Sequence, residues 1–253
     1  MKWDPEQYGR FAGERSRPFA DLVGRIGAEA PRRVVDLGCG PGPLTVELGR
    51  RWPSALVEGI DSSPEMIDRA VALGSSVVFS RGDLAAWVPA PDTDVIVSNA
   101  ALQWVPDGLG VVARWAAAVP VGGWLAFQVP GNFDAPSHSL LHELATSPRW
   151  APALQGRLRR LPVSEPADYA LRLLAAGLQV DVWETTYLHV LSGPDPVLEW
   201  MRGTALRPVL SALSPAEGDQ FCAALAERLR VAYPATEHGT LLPFRRIFAV
   251  AHR

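Results

Sequence analysis

The sequence predicts an α/β fold built on one doubly wound, mostly parallel sheet. Short runs rich in valine, isoleucine and leucine alternate with helix-like segments through the first half of the chain. This alternation is typical of parallel strands joined by crossover helices. In addition, the first such run ends in a glycine-rich turn, Gly38-Cys39-Gly40-Pro41-Gly42, directly before a helix pattern. A strand, a glycine turn and a helix in that order are typical of sheets that bind a nucleoside or nucleotide at their carboxyl edge.

Five strands are predicted in the first half, each an apolar run bounded by turn-forming or polar residues. They cover Arg33 to Leu37, Ala55 to Ile60, Ser76 to Ser80, Asp94 to Ser98, and Trp124 to Val129. The helices between them include Leu44 to Arg51, a helix that starts at Ser62-Ser63-Pro64-Glu65, and Leu109 to Val119. Because such crossovers are right-handed, the five strands should form a single sheet.

The second half is less regular. Pro130 to Pro166 is predicted as loops with one or two short helices. The elements predicted after it are a helix over Ala167 to Ala176, a strand over Gln179 to Leu191, a helix from Ser214 to about Tyr233 that starts with a capping box, and a last strand over Phe244 to Ala251. We predict one domain over residues 1–253. Its sheet would use roughly residues 30–130, 178–191 and 244–252, and a helical cap would use roughly residues 1–28, 131–177 and 192–240.

Composition narrows the class of protein. The net charge of -3 gives no indication of the clustered basic face that a nucleic-acid partner requires. The longest apolar runs, such as Val111 to Val121, are too short to span a bilayer. Asp4 and Glu6 stand where a secretory signal would be apolar, and Cys39 and Cys222 make no disulfide framework. We therefore expect a cytoplasmic protein with a small-molecule substrate and neither nucleic-acid nor membrane partners; the oligomeric state stays open.

The glycine turn gives the strongest local signal for a cofactor. Glycines allow positive φ and let a ligand approach the backbone without a Cβ in the way. A dinucleotide site would place its third glycine where this chain has Pro43, and the Asp36 carboxylate would repel a pyrophosphate. That carboxylate suits a cationic group such as a sulfonium. The turn therefore favours a nucleoside cofactor without phosphates, bound at Asp36, Gly38, Gly40 and Gly42.

Three polar residues follow the next three strands. Asp61 ends the second strand, where an acidic side chain can accept both ribose hydroxyls. Asp83 follows the third strand and could accept from an adenine amino group, while Asn99 ends the fourth. Because ligands bind at the carboxyl edge of open α/β sheets, these residues should share one cofactor site with the turn. Their neighbours Ser62 and Leu84 are assigned to the same site.

With these motifs, residues 30 to 130 resemble the class I S-adenosylmethionine-dependent methyltransferases. The positions that match are Asp36-x-Gly38-x-Gly40-x-Gly42, Asp61, Asp83 and Asn99. The resemblance implies S-adenosylmethionine as cofactor, S-adenosylhomocysteine as product and no metal. It places the glycines against the methionine and ribose portions, Asp61 at the ribose and Asp83 near adenine. It also implies a Rossmann-like sheet of seven strands whose last strand, here Phe244 to Ala251, runs antiparallel.

Segments outside this region resemble the trans-aconitate 2-methyltransferase family, and this similarity spans almost the whole chain. The matching segments are Trp3-Asp4-Pro5-x-x-Tyr8, Glu14-Arg15-Ser16-Arg17-Pro18, Ile60-Asp61-Ser62-Ser63-Pro64-x-Met66, Asn99-Ala100-x-Leu102-Gln103-Trp104, Pro130-x-Asn132, Pro136-x-His138, Asp181-Val182-Trp183-x-Thr185-Thr186-Tyr187, Leu206-Arg207-Pro208 and Arg246-x-Phe248. The resemblance implies methyl transfer to one carboxylate of trans-aconitate, a small tricarboxylic acid, giving a monomethyl ester.

A carboxylate acceptor would need little help from the protein. Its pKa lies near 4, so it is ionised at neutral pH and needs no general base. In-line geometry, a dry pocket and counter-charges are required instead, and we predict no catalytic residue. Arginines at family-matching positions would supply the counter-charge, although a surface ion pair remains the alternative for each. Arg17 is expected at the cofactor's own carboxylate, and Arg15, Arg207 and Arg246 at the substrate.

Aromatic side chains are candidates for the pocket walls. Trp104 follows Asn99 on the loop after the fourth strand and is assigned to the substrate. Tyr8 and Phe11 are further wall candidates, with Tyr8 assigned to the cofactor site. Tyr187 is predicted as a hydrogen-bond donor to the substrate. Most tryptophans and tyrosines serve the core, so these assignments depend on the structure.

His138 is assigned to the substrate, with a solvated histidine at a helix start as the alternative. The pair His142-Glu143 begins a zinc-helix pattern, but Thr146 stands where the second histidine would be, so no metal is predicted. Two other functions stay open: methylation of a different small molecule, such as a phenol or amine, and cofactor binding without catalysis. A nicotinamide-dependent reductase is disfavoured by Asp36 and Pro43.

Overall fold

The computed structural model describes residues 12–158 and 163–253. Its sheet has the strand order β3-β2-β1-β4-β5-β8-β6, with the two-residue β7 paired to β8. Neighbouring strands from β3 to β5 are parallel, whereas β8 runs antiparallel to both β5 and β6. The strands are β1 (Arg33–Leu37), β2 (Leu56–Asp61), β3 (Val78–Arg81), β4 (Thr93–Asn99), β5 (Trp124–Pro130), β6 (Gln179–Leu191), β7 (Ala235–Thr236) and β8 (Gly239–His252). The Rossmann-like sheet with an antiparallel strand at its C-terminal end is therefore confirmed.

The helices within the described ranges connect these strands. They are α1 (Ala12–Val23), α2 (Pro43–Arg51), α3 (Pro64–Val71), α4 (Gly108–Ala118), α5 (Pro136–Ala145), α6 (Ala151–Leu154), α7 (Pro166–Ala175), α8 (Pro196–Arg202), α9 (Arg207–Leu210) and α10 (Pro215–Ala232). Ser63 caps α3 through the Met66 amide, and Ser214 forms the predicted capping box with Glu217. None of the described helices is long and apolar enough to cross a membrane.

The last strand differs most from its prediction. It begins at Gly239, five residues before the predicted start at Phe244. The pairing of β5 with β8 ends at Arg246; of the additional residues, Gly239 and Thr240 pair with β7, and Leu241 to Pro243 pair with β6 alone. Proline has no N–H to donate, and sheets tolerate it where a strand is paired on one side only. Pro243 lies in such a part of β8. A proline between apolar residues hid this part of the strand in the sequence.

The two faces of the sheet bury different helices. On one face Phe19 and Leu22 of α1 and Leu48 of α2 pack with Val97 and Phe248 of the sheet. On the other face the core contains side chains of α4 and α7, among them Trp115, Tyr169 and Leu173. The sequence prediction placed residues 1–28 and 131–177 in the cap, but α1 and α7 within those ranges pack against the sheet. Their apolar sides cover sheet faces that would otherwise be exposed to water.

A third core lies beyond the sheet. Side chains of α5, α6, α8 and α10 pack there around Phe221, Leu225 and Trp150, together with Leu242 from the extension of β8. These helices form the cap. Because β6 and β8 run past the end of β5, they provide a ribbon against which the cap packs. The cap therefore stands beside the carboxyl edge of β4 and β5.

Candidate active site

The three glycines of the turn between β1 and α2 serve different purposes. All have positive φ: 82° at Gly38, 57° at Gly40 and 90° at Gly42. A Cβ on Gly38 would lie 2.2 Å from Cβ of Ala101, and one on Gly42 would lie 2.8 Å from Cβ of Ala70. At Gly40 an added Cβ would meet nothing within 4 Å. Gly38 and Gly42 therefore let protein segments pack closely, whereas Gly40 borders open space in which a ligand can approach the backbone.

Asp36 lies beneath the turn and is 3% exposed. Its carboxylate accepts a hydrogen bond of 2.7 Å from the Thr45 hydroxyl at the start of α2. Burial raises the pKa of Asp36 to about 7; the Thr45 bond opposes this shift, and the charge of Asp61 adds to it. A buried carboxylate with a raised pKa is stabilised by a nearby cation. Asp36 thus suits a positively charged ligand group, as its position in the sequence indicated.

Asp61 connects the turn to the second strand. One of its carboxylate oxygens accepts from the Gly40 amide at 3.0 Å, and the other accepts from the Ser63 amide at 2.9 Å. Each oxygen of a carboxylate can accept a further hydrogen bond, so both remain able to take a hydroxyl. The arrangement holds Asp61 directly beside the open space at Gly40. This is the geometry needed by a residue that accepts from a ribose.

The remaining predicted cofactor residues lie around the same edge. Asp83 is exposed and accepts from the Ala85 amide at 2.9 Å, which orders the turn after β3. Leu84 is half-buried, and its side chain comes within 3.8 Å of the Cβ position of Gly38. Ser62 is exposed beside Asp61. Their positions agree with an adenosine lying along the ends of β2 and β3.

A row of polar side chains crosses the sheet next to the turn. Asn99 at the end of β4 pairs in register with Gln128 on β5, and Arg246 on β8 is opposite Pro130, two residues beyond Gln128. Arg246 is 5% exposed and donates to the buried Gln128 side-chain oxygen at 3.0 Å. Among the described residues, Oδ1 of Asn99 and Nε2 of Gln128 have no hydrogen-bond partner. A buried acceptor and a buried donor on adjacent strands are thus available to a polar ligand.

Backbone strain accompanies this row. Ala100, directly after Asn99, has φ of 53°, a conformation that non-glycine residues rarely adopt. Its amide donates to the Gln128 carbonyl, and its carbonyl accepts from Nε2 of Gln103. These bonds hold the strained residue in place, which turns the chain sharply away from the sheet after Asn99. Such strain is frequent where a site fixes the direction of a side chain.

Tyr187 and Arg17 meet where α1 crosses the sheet. The buried hydroxyl of Tyr187 donates to Asp21 of α1, and the Arg17 guanidinium lies 5.2 Å from the centroid of the Tyr187 ring. Burial and the bond to Asp21 raise the pKa of Tyr187 above its ordinary value. Tyr187 therefore attaches α1 to β6, and the predicted role as a substrate donor would require this hydrogen bond to break. Arg17 is exposed on α1, four residues before Asp21.

A cavity of about 820 Å³ lies between the loop after β4, the cap and the start of β8. Two predicted substrate residues, Trp104 and His138, line it. Burial lowers the pKa of His138 to about 4, and its Nδ1 lies 3.2 Å from the Ser137 hydroxyl. Arg207 at the start of α9 is not among the lining residues, although the next residue, Pro208, is.

Three of the residues predicted for the site fall, with at least their side chains, outside the described part of the chain. Tyr8 and Phe11 are outside the described residues, and the side chain of Arg15 is outside them as well. The structure also identifies residues that the sequence prediction did not include: Thr45, Gln128, Asn132 and Arg157. Gln128 gave no signal because a glutamine inside an apolar strand has no motif of its own. Asn132 stands in the family-matching segment Pro130-x-Asn132 and could have been chosen on that basis.

Comparisons with known proteins agree with this geometry. A family model described as a methyltransferase domain matches residues 11–181. The crystal structure of the YcgJ protein from Bacillus subtilis shares the fold with a TM-score of 0.61 at 14% identity, over 93% of this chain and 97% of that chain. Phosphoethanolamine N-methyltransferase 2 from Haemonchus contortus, in complex with S-adenosylmethionine, has a TM-score of 0.55 at 16% identity, over 93% of this chain and 52% of that chain. The protein is a class I S-adenosylmethionine-dependent methyltransferase.

Sequence comparison defines the family more narrowly. A trans-aconitate 2-methyltransferase from Mycobacterium sp. (strain KMS) is 55% identical over 98% of both chains. The enzyme of the same name from Streptomyces avermitilis is 52% identical over 99% of this chain and 97% of its own. The chain belongs to the trans-aconitate 2-methyltransferase family.

Proposed function

We propose that the protein transfers the methyl group of S-adenosylmethionine to one carboxylate of trans-aconitate, giving a monomethyl ester. The observation that carries this proposal is the buried pair of Gln128 on β5 and Arg246 on β8, next to Asn99 and the glycine turn. It offers the amide N–H group of Gln128 and a positive charge to an anionic acceptor. The relatives that match the chain over nearly its full length are trans-aconitate 2-methyltransferases, and they support the same acceptor.

The residues at the turn fit the cofactor. Gly40 leaves open the space next to its backbone, and Asp61 borders that space with both oxygens able to accept hydroxyl groups. Asp36 places a buried carboxylate under the turn, which favours a positively charged sulfur over a phosphate. When bound, S-adenosylmethionine supplies a methyl group on a cationic sulfur that leaves as a neutral thioether. We assign Gly38, Gly40, Gly42, Asp61, Ser62, Asp83, Leu84 and Asn99, with Arg17 and Tyr8, to holding it.

The protein's part in the reaction is to orient and desolvate the acceptor. Arg246 holds a carboxylate beside β5 and β8, and Gln128 fixes the direction of that guanidinium through the hydrogen bond at 3.0 Å. Because the cap stands beside this edge of the sheet and the side chains of Gln128 and Arg246 are buried, the acceptor binds in a dry environment, which strengthens the attraction between charges. The acceptor is already ionised, so no residue has to remove a proton. Trp104 and His138 contribute pocket walls.

This mechanism predicts a flat pH profile. The pKa of His138 is about 4, so its imidazole is neutral throughout the neutral range. We therefore expect kcat, measured with saturating cofactor and trans-aconitate, to change less than about threefold between pH 6.5 and 8.5. The positive charge of the saturating cofactor lowers the pKa of Asp36, so this carboxyl stays ionised and adds no limb in that window. A steep limb there would contradict a carboxylate acceptor and favour a phenol or an amine.

Mass spectrometry with paired variants tests the acceptor site. Arg246→Met should raise the KM for trans-aconitate at least about tenfold, the scale of one charged hydrogen bond. The affinity for S-adenosylhomocysteine should remain within about twofold. Arg245→Met is the matched control because Arg245 instead pairs with Glu165 and Glu184. Absence of a methyl ester from the wild-type reaction would refute the function, and equal effects of both variants would refute the role of Arg246.

We further propose that the chain works as one domain in the cytoplasm. Both cysteines of the described ranges are buried and free, which agrees with a reducing compartment. Expression with an epitope tag followed by cell fractionation would test the location.

A further inference from the structure

The cavity under the cap is larger than a small acid requires. Its volume of about 820 Å³ falls among pockets that hold drug-sized molecules, roughly 300–1,000 Å³. Trans-aconitate has a skeleton of only six carbons. If this acid were the largest acceptor, most of the cavity would be left to water or to an empty apolar space. The size of the cavity therefore indicates that the protein also accepts acids that carry a further substituent.

The lining of the cavity indicates the chemistry of that substituent. Apolar side chains form most of its wall: Phe133 from the loop after β5, Leu141 from α5, Val197, Trp200 and Met201 from α8, and Leu242 from β8. Among the described residues that line it, one acid, Glu143, balances one arginine, Arg157. A wall with no excess positive charge is a poor environment for further carboxylates but a good one for hydrocarbon.

The cavity also borders the methyl-transfer site. Gln103 and Trp104, which line it, come three and four residues after the sharp turn at Ala100. On the other side Phe244 lines it, and the Arg246 guanidinium lies 4.7 Å from the centroid of the Phe244 ring. An acid whose carboxylates lie at Arg246 therefore has the cavity next to its remaining carbon atoms.

We propose that the cavity binds the alkyl chain of substituted dicarboxylic acids, and that the protein methylates such acids as well as the unsubstituted tricarboxylate. This inference rests on the proposed carboxyl methyl transfer. In the reaction, a carboxylate oxygen forms a bond to the methyl carbon, while the bond from carbon to sulfur breaks and its electron pair stays on sulfur. The products are the methyl ester and neutral S-adenosylhomocysteine, and no proton or further reagent is needed.

A homologous series of substrates tests the inference. Purified protein and S-adenosylmethionine are incubated separately with trans-aconitate and with methyl-, butyl- and octylsuccinate, and the ester and S-adenosylhomocysteine are quantified by mass spectrometry. Each fully buried methylene is worth roughly fourfold in binding. We expect kcat/KM to rise at least about tenfold from methyl- to butylsuccinate and not to fall at octylsuccinate.

Variants that fill the cavity test whether the alkyl chain of the substrate binds there. Ala205 lines the cavity and is half-buried. Ala205→Phe should lower kcat/KM for octylsuccinate at least tenfold and leave trans-aconitate within about twofold, and Ala205→Leu should give a smaller change in the same direction. Ala216→Phe is the control, since Ala216 is exposed at the start of α10. Melting temperatures identify any variant that fails to fold. If Ala205→Phe does not fold, the activity of Ala205→Leu tests the inference instead.

The outcomes separate the two proposals. Methylation of trans-aconitate with a flat or falling alkyl series would overturn the cavity inference alone. Methylation of the alkylsuccinates without trans-aconitate would support the cavity and overturn the proposed acceptor. No ester from any acid would overturn both. A rising series that Ala205→Phe leaves unchanged would also overturn the assignment of the chain to this cavity.

Discussion

Replacing Gly40 with alanine separates ligand binding from folding more clearly than any other change in the turn. The new Cβ would meet no protein atom within 4 Å, so the expected cost to the free protein comes from its φ of 57°. Holding a non-glycine residue in that region costs about 1–2 kcal/mol. For a protein of this size that corresponds to a loss of roughly 2–8 °C in Tm. Gly38→Ala cannot give this separation, because its Cβ would lie 2.2 Å from Cβ of Ala101.

The effect on cofactor binding should exceed the effect on the backbone. Alanine at position 40 places a methyl group in the open space beside Asp61, where we expect the cofactor. We predict that the Kd for S-adenosylhomocysteine, measured by isothermal titration calorimetry, rises at least tenfold, about 1.4 kcal/mol. Gly74→Ala is the matched control, since Gly74 has φ of 64°, has no atom within 4 Å of its Cβ position and lies three residues after the end of α3. It should show a similar loss of Tm with unchanged affinity. If Gly40→Ala bound the ligand as tightly as wild type does, the cofactor would not lie against this turn.

Three further perturbations address the electrostatics and the support of the site. Asp61→Ala should weaken S-adenosylhomocysteine binding by roughly 1.5–3 kcal/mol because it removes a charged acceptor; unchanged calorimetric affinity would exclude the ribose role. Since the fold raises the pKa of Asp36 from 3.8 to about 7, the folded protein without cofactor favours the protonated form below about pH 7. The free energy of unfolding of wild type relative to Asp36→Asn should therefore fall as pH rises from about 4 to 7.5, by up to about 4 kcal/mol, and level off above; a difference independent of pH in urea unfolding would contradict the burial of this charge. The Asn132 side chain donates to the Arg245 carbonyl at 2.9 Å and accepts from its amide at 2.7 Å, so Asn132→Ala should remove both of these hydrogen bonds, while the carbonyl keeps the one from the Gly131 amide. We expect a lower Tm and a several-fold higher acceptor KM with unchanged cofactor affinity. An unchanged acceptor KM with a weakened cofactor affinity would contradict this account.

The sequence by itself determined the sheet and predicted at which of its edges the cofactor binds. β6 was predicted with its exact bounds, and the first five strands were predicted to within two residues at each end. Asp36, Asp61 and Asn99 could be assigned because a parallel sheet brings the carboxyl ends of its strands to one edge. Strand periodicity and turn chemistry are local properties, and they can be recognised without knowledge of distant residues.

Only the tertiary structure decided which groups meet at the acceptor side. Gln128 and Arg246 are 118 residues apart in sequence, and their hydrogen bond exists because β8 pairs antiparallel with β5. Likewise, the distinction between Gly40 and its neighbours depends on whether Ala101 and other side chains occupy the space above each glycine. The cap cavity depends in the same way on how separate helices pack. Contacts between distant segments depend on long-range packing and not on local sequence patterns. Candidate residues for the acceptor site could therefore be predicted from the sequence, but their contacts with one another could not.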